Sequence, residues 1–335
     1  MKTRISVVGL ALAAALASPA IAAKGRAADR PAKAPPEVAA GACDYACLTS
    51  LVDKYLNAMV AHDPRQIPAA PHVRLTENTI PLKLGDALWG TLTAVGSYKL
   101  YFADPAGGTA GIEASIRENG TPAIVLLRLK QVGGKISEVE VMVHRNAAEA
   151  EALEKFGRPN AAWTQPLEAS QRVSRDKMWK IANSYFDGIL HSDSSAVPFD
   201  PQCDRILDGD QDTNNPTAKG WFDKDSFKPD AMGIAANMNT RIWSYIHSIA
   251  PRRMLVLDEK MGIAVGMFMF NHPGNVLFAD VPNVGRVPMP AVVKRPSSVL
   301  MGEFFKIESG RIRRIEGVSI SLPYGAKTGW ETAEK

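Results

Sequence analysis

Gly310–Val318, "GRIRRIEGV", and Gly134–Val141, "GKISEVEV", obey one rule: Gly, a basic residue, Ile, two polar residues, a β-branched residue, then Glu. Each follows an apolar run, "FFKIES" or "LRLKQVG". A Gly turn between two β-type runs is the signature of a hairpin. A chain that writes the same hairpin twice predicts an internal duplication.

The echo extends upstream. Leu48, Leu51, Val52, Tyr55, Leu56, Met59 and Val60 follow the i, i+3, i+4, i+7 spacing of an amphipathic helix. So do Met178, Ile181, Ala182, Tyr185, Phe186, Ile189 and Leu190. Tyr55 matches Tyr185, Asp63 matches Asp193 and Pro68 matches Pro198. A short polar strand comes next, "RLTEN" (74–78) in the first copy and "RILDG" (205–209) in the second. Aligning Arg74 with Arg205 requires one inserted residue and puts a carboxylate three residues after each Arg. Strands are then expected at Ser97–Phe102, Gly111–Glu118, Ala123–Gln131 and Lys135–His144, and again at Met254–Asp258, Ile263–Asn271, Val299–Glu308 and Arg311–Leu322. Each module therefore reads as a helix, a short strand, a helical segment and a four-stranded antiparallel meander, an α+β arrangement. The modules span 43–145 and 174–325. The linker 146–173 holds a short helix, "AAEAEALEKF", and an extended "RPNAAWTQP". The second module carries inserts near 210–230 and 272–297.

This order of elements, with its twin closing hairpins, resembles the nuclear transport factor 2-like superfamily, which includes the SnoaL-like polyketide cyclases. The phrases "TEN", "LGDALWG", "FNHPG" and "LPYG" followed by "GW" are similar to a secreted bacterial and fungal family of unknown function within it. The resemblance implies two tandem cone-shaped modules, each a curved antiparallel sheet wrapped around helices. It also implies a pocket between sheet and helices, and pairing through the outer sheet faces. One chain would then supply both partners of a pseudo-dimer, with further oligomerisation left open. The fold fixes no activity, because it carries enzymes, carriers and assembly domains alike.

Residues 1–22 combine Lys2 and Arg4, an apolar run and "SPAIAA", the pattern of a cleaved signal peptide. A periplasmic or secreted protein without a membrane anchor is expected. Residues 23–42 have almost no bulky apolar side chain and are expected to form a flexible leader. Losing Lys2 and Arg4 leaves 37 basic and 35 acidic residues, net +2, which speaks against a nucleic-acid partner. Cys43, Cys47 and Cys203 allow at most one bridge. The expectation is Cys203 with Cys43 or Cys47, tying the modules together, and a local Cys43–Cys47 bridge is the alternative.

No zinc-type spacing, P-loop, dinucleotide fingerprint or nucleophile elbow occurs, so no cofactor or metal is expected. "DGDQDTNNP" alternates Asp208, Asp210 and Asp212 but lacks the Gly and Glu of a calcium loop. What remains is acid–base chemistry by ionisable groups near aromatics. In the first module the candidates are Glu77 and His144 for catalysis, with Arg74, Asn78, Trp89, Tyr98 and Tyr101 for binding. In the second they are His272 and Asp208 for catalysis, with Arg241 and Tyr245 for binding, and Trp243, His247 and Glu303 beside them. His272, where a strand meets Pro273-Gly274, is the first choice as acid or base. The function expected is a cofactor-independent lyase, isomerase or hydratase acting on a small apolar or aromatic molecule. A non-catalytic carrier of a hydrophobic ligand and a pocketless assembly module are the alternatives.

Overall fold

The computed structural model describes residues 43–218, 222 and 227–331. The expected signal peptide and leader lie outside the described residues. The first half runs α1 (Tyr45–Val60), β1 (Ala69–Glu77), β2 (Ile80–Leu82), α2 (Leu88–Thr91), β3 (Leu92–Asp104), β4 (Thr109–Glu118), β5 (Thr121–Val132) and β6 (Lys135–His144). The connection holds α3 (Ala147–Phe156) and α4 (Ala161–Thr164), so "AAW" is a helical turn within a stretch read as extended. Asn160 caps that turn by accepting from the Ala162 N–H at 3.0 Å. The second half runs α5 (Arg175–His191), β7 (Phe199–Leu207), β8 (Asp210–Gln211), α6 (Ile234–Asn239), β9 (Ser248–Asp258), β10 (Ile263–His272), β11 (Phe278–Val281), β12 (Gly285–Pro288), β13 (Ser297–Glu308) and β14 (Arg311–Pro323). The Pro-rich insert is thus a separate β11–β12 hairpin.

Each half is α+β with a six-stranded mixed sheet, ordered β2-β1-β6-β5-β4-β3 and β8-β7-β14-β13-β10-β9. The antiparallel meander is present in both. The sheets are not purely antiparallel, because β1 runs parallel to β6 and β7 parallel to β14. Paired positive-φ residues close the hairpins: Asn119-Gly120, Gly133-Gly134 and Ser309-Gly310. Two consecutive left-handed residues give the turn whose twist matches the flanking strands.

The helices form because their apolar stripes have a sheet to cover. Asp44 caps α1 through the Cys47 N–H at 2.9 Å, and Leu48, Val52, Tyr55, Leu56 and Met59 are buried beneath it. They pack on inward residues of the first sheet such as Ile112, Leu127 and Val139. Tyr185, Phe186 and Ile189 of α5 pack likewise on Phe268, Phe305 and Ile315. The segment 237–249 is not one helix: α6 ends at Asn239, and Arg241 follows with a φ of 65°. A single 3-10 turn, Ile242–Tyr245, follows it before β9 begins at Ser248.

A third core lies between the outer faces of the two sheets. Tyr98, Leu100, Phe102, Leu126 and Met142 of the first meet Val265, Met267, Leu300, Phe304 and Val318 of the second. Polar contacts across it come in matching pairs. Glu140 on β6 accepts two bonds from Arg253 on β9, at 2.7 and 2.9 Å. Glu316 on β14 accepts from Tyr98 on β3. Arg175, opening α5, forks onto Asp104 at the end of β3, with both bonds 2.8 Å. Tyr45, opening α1, lies in the field of Asp258 at the end of β9.

Cys43 is bonded to Cys47, and Cys203 is free. The expected bridge between modules is therefore corrected. Cys203 points into the core under α5, whereas Cys43 and Cys47 flank the start of α1.

Candidate functional site

The parallel register decides which side chains face inward. Arg74 pairs with Glu138, but Arg205 pairs with Ile315. Equivalent bonds run from Ile136 to Pro68 and from Ile312 to Pro198, both 2.8 Å. Others run from Asn78 to Val141 and from Asp208 to Gly317, both 2.9 Å. So Arg205 corresponds to Leu75, not to Arg74, and no residue is inserted. One residue of offset reverses the face in a strand. Arg74 is exposed, gives a 2.7 Å bond to the Gly329 carbonyl and lies over Trp330 at 4.2 Å. Arg205 points into the core and is 7% exposed. The recurring Arg-x-x-acid pattern is a coincidence of sequence.

Inside the second module Arg205 is held between two carboxylates. One guanidinium nitrogen bonds Asp212, and the other lies 3.3 Å from Oε1 of Glu303 on β13. Glu303 is fully buried; its Oε2 has no partner at hydrogen-bonding geometry, although the Tyr185 hydroxyl lies close enough to favour its ionised form. Burial pushes Glu303 up to about 7, against the opposing pull of Arg205. Partial burial likewise raises Asp212, whose side chain is 30% exposed, against the pull of Arg205. The Tyr185 hydroxyl of α5 faces the same group, so burial and the nearby acids push it well above its ordinary value against the pull of Arg205. Tyr245, in the 3-10 turn before β9, approaches this triad. It lies within electrostatic reach of Arg205 and Asp212, and burial raises it to about 12. Its ring meets the His272 ring edge-on at 4.9 Å. His272 is 7% exposed, its Nε2 has no partner, and burial lowers it to about 4. It is therefore a neutral imidazole at pH 7.

The first module has no such group. By register, Leu75, Leu82 and Leu127 occupy the places of Arg205, Asp212 and Glu303. Its predicted site residues are dispersed. Trp89 donates to Tyr55 at 2.9 Å within the core. Glu77 accepts from the Leu88 N–H opening α2, at 3.0 Å, and from Arg145 at 2.8 Å. Asn78 exchanges two bonds with the Val143 backbone, at 3.1 and 2.8 Å. Tyr98 faces the other sheet and Tyr101 bonds Asp53. In the second module Arg241 is exposed at the break after α6, and Asp208 is engaged by Ser319 on β14. Of the predicted residues, His272 and Tyr245 gather near Glu303, and His144 and Asp208 meet at a separate place, 3.5 Å apart. Tyr185, Arg205 and Asp212 were visible as residues but not as partners, because their shared face depends on register.

His144, Glu149 and Asp208 bring ligand-type atoms within 4.8 Å of one another. Both His144 nitrogens are already engaged, Nδ1 by the Ser319 carbonyl at 2.8 Å and Nε2 by Glu149. The group is a hydrogen-bonded junction between the modules.

Comparison with known proteins yields little beyond this geometry. Residues 171–319 match the model of a family described as a domain of unknown function. No curated protein matches the chain. Solved structures that match include a de novo designed protein with a curved β-sheet, at 16% identity and a TM-score of 0.26, covering 30% of this chain and 87% of its own. Another is "AclR a putative hydroxylase from Streptomyces galilaeus", at 12% identity and a TM-score of 0.24, covering 32% and 85%. A third is a "Putative Isomerase from Bacillus subtilis", at 12% identity and a TM-score of 0.27, covering 44% and 90%.

Proposed function

We propose that the protein is a small-molecule acid–base protein whose working site is the interior of the second module. One observation carries this reading: Leu75, Leu127 and the half-buried Leu82 of one module are Arg205, Glu303 and the half-buried Asp212 in the other. Buried charges are costly and packed leucines are not. A core that retains a carboxyl near neutrality, with one oxygen unpartnered, is arranged for a proton. Glu303 is the acid or base, Arg205 holds a developing oxyanion, and Tyr245 and His272 are the ring pair beside them. The substrate class is a small, largely apolar carbonyl or phenolic compound, and the reaction is a cofactor-independent isomerisation, elimination or hydration.

The first module is the structural partner. We propose that the two form a built-in pseudo-dimer of the nuclear transport factor 2-like kind. The reciprocal contacts support this, since β6 reaches β9 as β14 reaches β3; α5 reaches β3, and the matching Tyr45 of α1 lies in the field of Asp258 at the end of β9. A two-fold interface repeats each contact in this way. Export is part of the proposal, resting on residues 1–22 and a Cys43–Cys47 bridge that suits an oxidising compartment.

The test replaces Arg205, Asp212 and Glu303 together by leucine in the full chain. Native mass spectrometry of protein purified from its own host looks for a co-purifying small molecule. The expected result is a bound species in wild type, absent from a triple variant that is at least as stable. A triple variant that unfolds readily, beside a wild type of clean mass, would make the triad a structural element and end the proposal.

A further inference from the structure

The turn after the first strand is built twice with different chemistry. In the first module Asn78 satisfies both backbone groups of Val143: its Oδ1 accepts from the N–H and its Nδ2 donates to the carbonyl. In the second module the equivalent residue is Asp208 and the equivalent of Val143 is Ser319. Asp208 accepts from the Ser319 N–H at 2.7 Å and from its hydroxyl. An ionised carboxylate has no hydrogen to give, so the Ser319 carbonyl loses the donor that an Asn supplies. His144 provides it from the other module, through Nδ1 at 2.8 Å. Its other nitrogen faces the Glu149 carboxylate on α3.

A carbonyl only accepts, and so does an ionised carboxylate. With acceptors at both nitrogens, His144 carries both protons and one positive charge. That charge lies 3.5 Å from Asp208 Oδ1. We propose that His144 is a proton-dependent clamp between the two modules, closed while its ring is cationic and released when it is neutral. A neutral ring has one N–H and can keep one of the two bonds; the other acceptor then faces a lone pair.

The surroundings favour the closed form at neutral pH. Glu149 approaches from α3 and Asp208 from the turn after β7. Asp210 on β8 lies in the field of Glu149. Glu113 on β4 is buried without a partner for either oxygen, in the field of Asp208 and of Glu316 on β14. Glu316 is itself bonded to Tyr98 of β3. The next residue along the chain, the cation Arg145, is bound to Glu77 and Glu118. Burial alone would lower His144, but Asp208, the Ser319 bond and Glu149 together raise it. A raised histidine stabilises the fold below its ordinary pKa and ceases to do so as pH rises through the folded value.

The experiment is side-chain ¹⁵N NMR of the full chain across pH, with His144→Gln identifying the resonance among the six histidines. At neutral pH both His144 nitrogens are expected to be protonated. In Asp208→Asn the new amide gives the Ser319 carbonyl its own donor and removes the charge. The titration of His144 is expected to move to lower pH, with a flatter pH dependence of the thermal midpoint. The converse variant, Asn78→Asp, is expected to lose stability at every pH above the carboxylate range. The residue equivalent to His144 is there Ile320, which has no donor. A neutral single-tautomer ring in wild type, a His144 titration unmoved by Asp208→Asn, or an Asn78→Asp variant as stable as wild type would each overturn the clamp.

Discussion

Replacing Glu303 by Gln keeps the shape and hydrogen-bonding reach of the side chain and removes its ionisation. The group is buried, and its carboxyl is shifted from an ordinary 4.5 to about 7. A carboxyl raised in the folded state holds its proton more tightly there than in the unfolded chain. Its presence therefore costs nothing below pH 4.5 and becomes costly as pH climbs towards 7. At about 1.4 kcal/mol per pH unit the full penalty is about 3 kcal/mol, reached above neutrality. The assay is urea denaturation of wild type and Glu303→Gln at intervals from pH 5 to 9, taking the difference in unfolding free energy at each. Titrations of groups that do not interact with Glu303 cancel in that difference. The variant is expected to gain on wild type steadily up to neutrality and then hold a constant advantage of about 3 kcal/mol. A difference that does not change with pH would mean that Glu303 ionises alike in both states. The inference of a proton-competent interior would then fail.

Other expectations follow from the seam and the termini. Glu140→Ala removes the partner of Arg253 and one partner of Arg128, leaving charge buried between the sheets; a loss of about 3 kcal/mol or more is expected by denaturant titration. Trp330 is flanked by Arg74, Arg128 and Arg253, at 4.2, 4.9 and 5.2 Å from its ring. Trp330→Ala is expected to cost about 1–2 kcal/mol, seen as a lower thermal midpoint. Cys203 is buried, and burial pushes its thiol up, so native protein is expected to leave a thiol reagent unreacted. Unfolding without reductant is then expected to release one thiol per chain.

Helices and most strands were legible because each buries one face. The stripe through Tyr55 and the alternation of Val139, Val141 and Val143 need no knowledge of their neighbours. β1 and β7 were harder, because their first halves are exposed and their partner is parallel and more than a hundred residues away in β14's case. Hairpin turns advertise themselves in Gly and Asn, and a parallel pairing has no such punctuation.

The site was hidden for a related reason. Arg74 and Arg205 look like the repeated element, and an alignment by residue type joins them. The backbone instead joins Leu75 to Arg205, as the Pro68 and Pro198 bonds require. Because side chains alternate, that single step carries Arg205 from the solvent side to the interior, where its partners are Asp212 and Glu303 rather than the Asp208 three residues on. The same step exposes the contrast between the copies. Once Leu75, Leu82 and Leu127 stand opposite a charged triad, one module is a packed core and the other pays in stability for polar groups. The two halves share one sheet order and register, so the positions that are leucine in one and charged in the other are the ones packing alone does not require, and the proposed function rests on them.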